Sequence, residues 1–356
     1  FAVHAAGGLG SQPFLAKRIR DFIPAEDVLI VCEAIVRLHH RAGERKNRSR
    51  ARLKYLMRKL GPEQFGAALD VEIARVEASR GEVLRRETRE YVTGYRLPAP
   101  RRPAAAVPGA NGSSGFAAWR STNAVVQRVP GYYAVTVTLP FGDYTADQGR
   151  ALATLADECG NGTLRTANEQ NVLLPFVSGA ALSDVYHRLD AIGLAEAYAN
   201  HVTDVVSCPG ADYCSLAVTR SMGMAERIRE HLPTVGLSPA ELGEFHVKIS
   251  GCPNSCGQHH VGDIGLTGML VKGTDGTERP HYSILVGGGV GEDEPSLGQR
   301  LAGRYPEESA PHAIVAVAEC YQRERSAGET FQQFVRRVGV DRLSAAARAA
   351  IDDGVQ

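Results

Sequence analysis

Four of the chain's seven cysteines stand in two pairs that could do chemistry together. Cys208 and Cys214 have five residues between them; after a gap of 37 residues come Cys252 and Cys256, with three between them. Four thiolates from two separate loops are what a cubane iron–sulfur cluster requires, one for each iron. Each pair lies among glycine and proline, in Cys208-Pro209-Gly210-Ala211-Asp212-Tyr213-Cys214 and Gly251-Cys252-Pro253-Asn254-Ser255-Cys256-Gly257. Such residues keep the backbone close to a cluster, where amide N–H groups reach its sulfurs and tune its potential. Zinc sites usually place paired ligands two to four residues apart, a range the first pair misses. Disulfides suit an oxidising compartment. Four buried structural cysteines are the remaining alternative. The other three, Cys32, Cys159 and Cys320, fall inside apolar helical patterns and are expected to pack as small hydrophobes.

Two further groups of residues invite attention. Residues 44–55 carry six Arg and Lys in twelve positions, although the whole chain has zero formal net charge. A run of this kind serves either as a solvated helix face or as a site for a multiply charged anion. His246, Lys248, His259 and His260 lie near the second cysteine pair, where a basic group could donate protons to a bound anion. Against that role, strand alternation would send Lys248 to the face away from the site, and none of the four is assigned one.

The elements that must position these residues are legible from periodicity and turn chemistry. A helix is expected over residues 27–42 and another beginning at Pro62. Residues 96–118 are dense in Pro and Gly and read as a linker. A strand over 132–140, a Thr145-capped helix reaching Cys159, strands at 163–167 and 170–177, and a helix ending near Gly193 form a βαββα unit of ferredoxin-like type. Residues 205–207 and 245–250 are strands delivering the two cysteine pairs. A helix over 215–232 would aim its N-terminus at a negatively charged cluster. Strands over 263–271 and 281–286 form an antiparallel pair, and helices over 310–326 and 331–349 close the chain. The fold class is therefore α+β.

An internal repeat runs through this order. Phe1 to Gly10 and Tyr282 to Gly291 share an aromatic residue, a strand and Gly-Gly-x-Gly at an offset of 281, and Leu15 and Pro24 recur as Leu297 and Pro306 at an offset of 282. The spacing is too long for a solenoid and indicates a duplicated module. The complete copy begins near Ser121, so the chain is expected to lack the first part of its other copy. With that part absent, the chain as given is expected to be inactive.

The cysteine spacing, with the second pair inside Gly-Cys-Pro-Asn-Ser-Cys-Gly, resembles the sirohaem-containing sulfite and nitrite reductases. The resemblance implies a tail of the first half over residues 1–95, a linker over 96–118, a ferredoxin-like half-domain over 119–196 and a 4Fe–4S and sirohaem domain over 197–350. It implies that Cys208, Cys214, Cys252 and Cys256 hold a 4Fe–4S cluster and that Cys256 also bridges to sirohaem iron. Asn254, Arg48, Arg52 and Lys54 would contact the macrocycle and its carboxylates. Arg165, in Leu164-Arg165-Thr166 followed by Gln170-Asn171, resembles an arginine that touches substrate or haem in the other half; here a structural ion pair competes with that role. Implied activities are six-electron reduction of sulfite to sulfide or of nitrite to ammonia, with ferredoxin or another external donor. A cobalamin-pathway oxygenase of related fold and a cluster-only electron-transfer module are the alternatives, and an absorption spectrum separates them. The neutral charge gives no reason to expect nucleic acid or a membrane as partner, and thiolate ligands fit a reducing cytoplasm.

Overall fold

The computed structural model describes residues 1–95, 98–106, 113–234, 237, 242–291 and 295–353. The chain divides into two units, Phe1–Leu97 and Pro98–Gln356. Much of the Gly-rich part of the expected linker, residues 107–112, lies outside the described residues.

The first unit pairs β1 (Val3–Ala5) antiparallel with β2 (Lys17–Arg20) and then packs α1 (Val28–Ala42) on α2 (Leu53–Gly94). α1 buries Ile30, Val31, Ala34 and Leu38, an apolar stripe at helical spacing. Ile30, Ala34 and Leu38 meet Leu56, Phe65, Leu69 and Val76 of α2. α2 is broken at Gly61, whose φ is +76°, immediately before Pro62. Proline has no N–H to donate and disfavours the helical conformation in the residue before it. Cys32, expected to pack inside, is exposed on α1; Cys159 and Cys320 are buried.

The second unit contains two sheets. In the first, β3 (Ala124–Val126), β4 (Tyr132–Val137), β6 (Val172–Ser178) and β5 (Arg165–Thr166) lie in that order, all antiparallel. α4 (Ala146–Cys159) and α5 (Leu182–Asp190) complete the βαββα unit. Thr145 and Gln148 close a reciprocal capping box at the start of α4. α3 (Ser114–Asn123) crosses the expected linker end and buries Trp119 in this unit's core.

The second sheet runs β11 (Gln299–Arg300), β10 (Glu278–Val286), β9 (Ile264–Lys272), β8 (Val247–Ser250) and β7 (Val206–Ser207), with β12 (Tyr305–Pro306) also on β10. β9 and β10 are antiparallel, whereas β7, β8 and β9 are parallel. Two sequence expectations change here. The helix after the first cysteine pair is α6 (Ser221–Thr234), because residues 215–220 are spent in turns tied to the second cysteine loop. The expected helix over 331–349 is two, Phe331–Val338 and Val340–Asp353, divided at Gly339 with φ +79°.

The repeat extends to strand register. His4 faces Arg18 and Ala5 faces Lys17; at an offset of 281 to 282, Leu285 faces Arg300 and Val286 faces Gln299. Isolated bridges Gly8 to Phe14 and Gly289 to Ser296 follow the same offset. α1 and the helix Ala310–Glu324 are both 15 residues long and 282 apart. Among the described residues no helix is long and apolar enough to cross a membrane.

Candidate metal centre

The cysteine pairs emerge from the carboxyl ends of two adjacent parallel strands. The register Val206 to Lys248 and Ser207 to Ile249 sets the end of β7 beside the end of β8. Cys208 follows β7 directly, and Gly251-Cys252 follows β8. Ends of parallel strands are where open α/β sheets place ligands, because successive loops converge there. The two loops are then stitched together. Cys208 N donates to Ile249 O at 3.0 Å, and Val218 N donates to Gly251 O at 2.9 Å.

Close approach makes glycine necessary at two points. Gly257 packs so tightly that a Cβ would lie 1.9 Å from Ile249 O. Gly210 has φ +68°, and a Cβ there would lie 2.5 Å from Ser221 N. Ser255 and Gln258, flanking Cys256-Gly257, take left-handed φ values of +63° and +58°. Strain of this kind in non-glycine residues is held by its surroundings. Here Gly257 N donates to Ser250 Oγ at 3.1 Å and Gln258 N to Ser255 O at 2.9 Å.

The four sulfurs share one environment. Burial pushes the Cys256 thiol up, and the neighbouring Cys208, Cys252 and Cys214 push it further. Cys208 and Cys252 are buried, Cys214 is intermediate and Cys256 exposed. Among the described residues no three His, Cys, Asp or Glu side chains are grouped to hold a single metal ion. Four neighbouring cysteines supplied by two separate loops suit a polynuclear cluster, whose irons sit at separate corners. One donor already points at a sulfur: Gly251 N reaches Cys208 Sγ at 3.2 Å, and Ser221 Oγ lies 3.3 Å from the same atom, in a bond that either partner can donate.

Gln170 and Asn171 hold the first cysteine strand from the other sheet. Gln170 Nε2 donates to Ser207 O and its Oε1 accepts from Ser207 N, both at 2.9 Å. Asn171 Nδ2 donates to Asp204 Oδ2 at 2.9 Å, while its Oδ1 accepts from Leu139 N. The sequence singled out this motif for Arg165, and the structure gives the positioning work to the two amides. Arg165 itself is exposed on β5 and makes no ion pair among the described residues, so the expected structural pairing is not what it does. Asn254 is also exposed.

The basic residues near the second pair divide. Lys248 is 4% exposed and its Nζ meets Gln258 Oε1 at 3.5 Å, two residues beyond Cys256. Alternation therefore turns it toward the cysteine loop, while Val247 and Ile249 enter the core on the opposite face. It lines a cleft of about 290 Å³ with Glu169, His246 and Asp263. Burial lowers its pKa. His259 is buried against Thr267, and burial, with His260 and Arg300 nearby, brings its pKa down to about 3. For His246, burial works to lower the pKa, but Asp263 and Glu244 outweigh it and the net shift is upward.

In the first unit the basic segment is partly committed. Arg52 Nη1 donates to Leu9 O at 2.9 Å. Lys54, 3% exposed, donates to Leu9 O at 2.9 Å and Gln12 O at 2.5 Å, bracing the loop after β1. Burial and the charge of Arg52 lower the Lys54 pKa. Arg48 is exposed in a short turn capped by Asn47. A cleft of about 830 Å³ in this unit is lined by Arg45, Lys46, Arg50, Arg58 and Lys59.

A family model described as the nitrite and sulphite reductase 4Fe-4S domain matches residues 1–76 and 198–352. Another, described as the nitrite/sulfite reductase ferredoxin-like half domain, matches residues 125–192. The assimilatory ferredoxin-dependent nitrite reductase of Haloferax mediterranei is 32% identical over 97% of this chain and 56% of its own length. The ferredoxin sulfite reductase 2 of Mycolicibacterium paratuberculosis is 27% identical over 95% of this chain and 56% of its own length. The fold is like that of the NirA protein of Mycobacterium tuberculosis, with a TM-score of 0.73 at 24% identity, covering 96% of this chain and 57% of that one. The chain thus spans about half the length of the curated relatives it matches.

Proposed function

The chain belongs to the nitrite and sulphite reductase family, and from that premise we propose that it carries the cluster-bearing part of a sirohaem-dependent reductase of sulfite or nitrite. Cys208, Cys214, Cys252 and Cys256 would hold a 4Fe–4S cluster. Cys256, exposed beside three more buried cysteines, would be the thiolate shared with sirohaem iron. When bound, the cluster and sirohaem supply one-electron delivery and an iron that takes the anion. The observation that supports this reading is that the two cysteine loops leave the ends of two adjacent parallel strands and bring the four cysteines into one neighbourhood, with the Gly251 N–H on Cys208 Sγ.

This chain's own residues do the holding. Gln170 fixes the backbone at Ser207, so that Cys208 enters the site at a set angle. Gly257 lets the second loop lie against β8, and Ser250 anchors it. Lys248 places a buried amine beside the loop of Cys256, and in its charged form would offset the negative charge of thiolates and cluster. Arg48, Arg52, Lys54, Asn254 and Arg165 are proposed to meet the macrocycle. Arg52 would do so while bracing the loop after β1, whereas Lys54, whose ammonium already meets the carbonyls of Gly8, Leu9 and Gln12, would have to exchange one of them. Electrons would come from a ferredoxin, the donor for which both relatives are named. The thiolate ligands suit a reducing cytoplasm.

The test is anaerobic reconstitution of the chain followed by quantification of iron and acid-labile sulfide and an absorption spectrum. Four iron and four sulfide per chain with a broad brown shoulder are expected for the cluster, and intense red and violet bands on adding sirohaem. A chain that takes up zinc in preference to iron and sulfide would sink the proposal.

A further inference from the structure

Cys208 differs from the other three cysteines in the company its sulfur keeps. Two groups from two different segments reach it. Gly251 N is 3.2 Å away and belongs to the second cysteine loop. Ser221 Oγ is 3.3 Å away and belongs to the first turn of α6. Ser221 is fully buried. Its hydroxyl is not left unsatisfied, and the sulfur is the partner the structure gives it. The surroundings are shaped to admit this side chain. A Cβ on Gly251 would lie 2.8 Å from Ser221 Oγ, and one on Gly210 would lie 3.0 Å from it. Two glycines from the two loops thus leave the space that the hydroxyl occupies.

We propose that Ser221 is a positioning residue whose hydroxyl donates to the Cys208 thiolate and sets the reduction potential of the cluster it holds. A ligating cysteine is a thiolate, which has no proton to give, so the serine must be the donor. The bond therefore has a direction that the metal-free thiol leaves open. A hydrogen bond to a charged acceptor is stronger than a neutral one and strengthens with the charge it receives. One added electron increases the negative charge on the cysteine sulfurs, so the bond from Ser221 favours the reduced form. Hydrogen bonds to sulfur, in a site with little water, are among the terms that set such potentials. Ser221 lies in the helix that follows the cysteine pair, outside both cysteine motifs, so spacing arguments pass over it.

The inference rests on the four cysteines being cluster ligands, and the experiment separates the two. Wild type, Ser221→Ala and Ser221→Thr are reconstituted as full chains; iron and sulfide are counted and the potential is measured by EPR-monitored titration. Ser221→Ala is expected to keep its iron and to titrate at a more negative potential, by about tenfold in the one-electron equilibrium or about 59 mV. Ser221→Thr, which keeps the hydroxyl, is expected at the wild-type value. Loss of iron in the alanine variant with full loading and wild-type potential in the threonine variant also supports the bond. A fully loaded Ser221→Ala at the wild-type potential overturns the proposal. So do equal shifts in both variants, or loss of iron from both, since the side chain would then be acting through packing. A wild-type chain that takes up no cluster overturns the underlying reading and this one together.

Discussion

Replacing Gln170 by leucine should loosen the first cysteine strand without touching any cysteine. The amide makes both of its bonds to one residue: Nε2 donates to Ser207 O and Oε1 accepts from Ser207 N, each at 2.9 Å. Ser207 is 2% exposed, so water cannot replace the lost partners. Leucine leaves a buried N–H and a buried C=O without those partners, at about 1–3 kcal/mol for each group. Partial relaxation of so short a strand tempers the sum, and we expect a loss of about 2–4 kcal/mol. In a unit of this size each kcal/mol moves the midpoint by about 2–4 °C, which predicts a fall of roughly 4–16 °C. The assay is thermal unfolding of the metal-free protein followed by circular dichroism, with iron uptake measured in parallel. Gln170→Glu sharpens the test. Its carboxylate can still accept from Ser207 N but faces the Ser207 carbonyl, and protonation restores a donor. The glutamate variant should therefore recover stability as pH falls through the carboxylate range, whereas leucine should not. A leucine variant melting within about 1 °C of wild type would refute the clamp.

Cys214→Ser should abolish the cluster, because a hard hydroxyl is a poor ligand for iron–sulfur chemistry; full iron and sulfide in the purified variant would contradict the ligand assignment. Replacing Arg48, Arg52 and Lys54 together by Gln should lower sirohaem occupancy while sparing the cluster. Because Lys54 also braces the carbonyls of Leu9 and Gln12, Lys54→Gln alone should destabilise the first unit, and unchanged haem content in the triple variant would leave the segment a structural brace. The raised pKa of His246 stabilises the fold through its charged form, with Asp263 as partner. That contribution is complete below the unfolded histidine value of about 6.5 and is lost as pH rises through the higher folded value. Asp263→Asn should flatten this dependence, read by denaturant titration at several pH values; a profile identical to wild type would show that the pair is not the cause.

The sequence by itself determined a good deal here, wherever the signal was local. The two cysteine spacings stand next to glycines that the loops require. The Thr145 cap announced α4, the helix start expected at Pro62 proved to be a break at Gly61, and a repeat visible as Gly-Gly-x-Gly proved to extend to strand register. Each of these depends on residues a few positions apart. Tertiary structure decided what depends on pairing between distant segments. The parallel register of β7 on β8 set Cys208 beside the second loop, turned Lys248 toward Gln258 rather than away from it, and gave Gln170 the backbone of Ser207 to grip. The same convergence brought Ser221 to the Cys208 sulfur and stopped α6 from starting at residue 215, because Val218 is tied to Gly251. Local periodicity carries no information on such contacts: a side chain's face follows from its strand, but what lies opposite that face is set by segments that approach only when the chain folds.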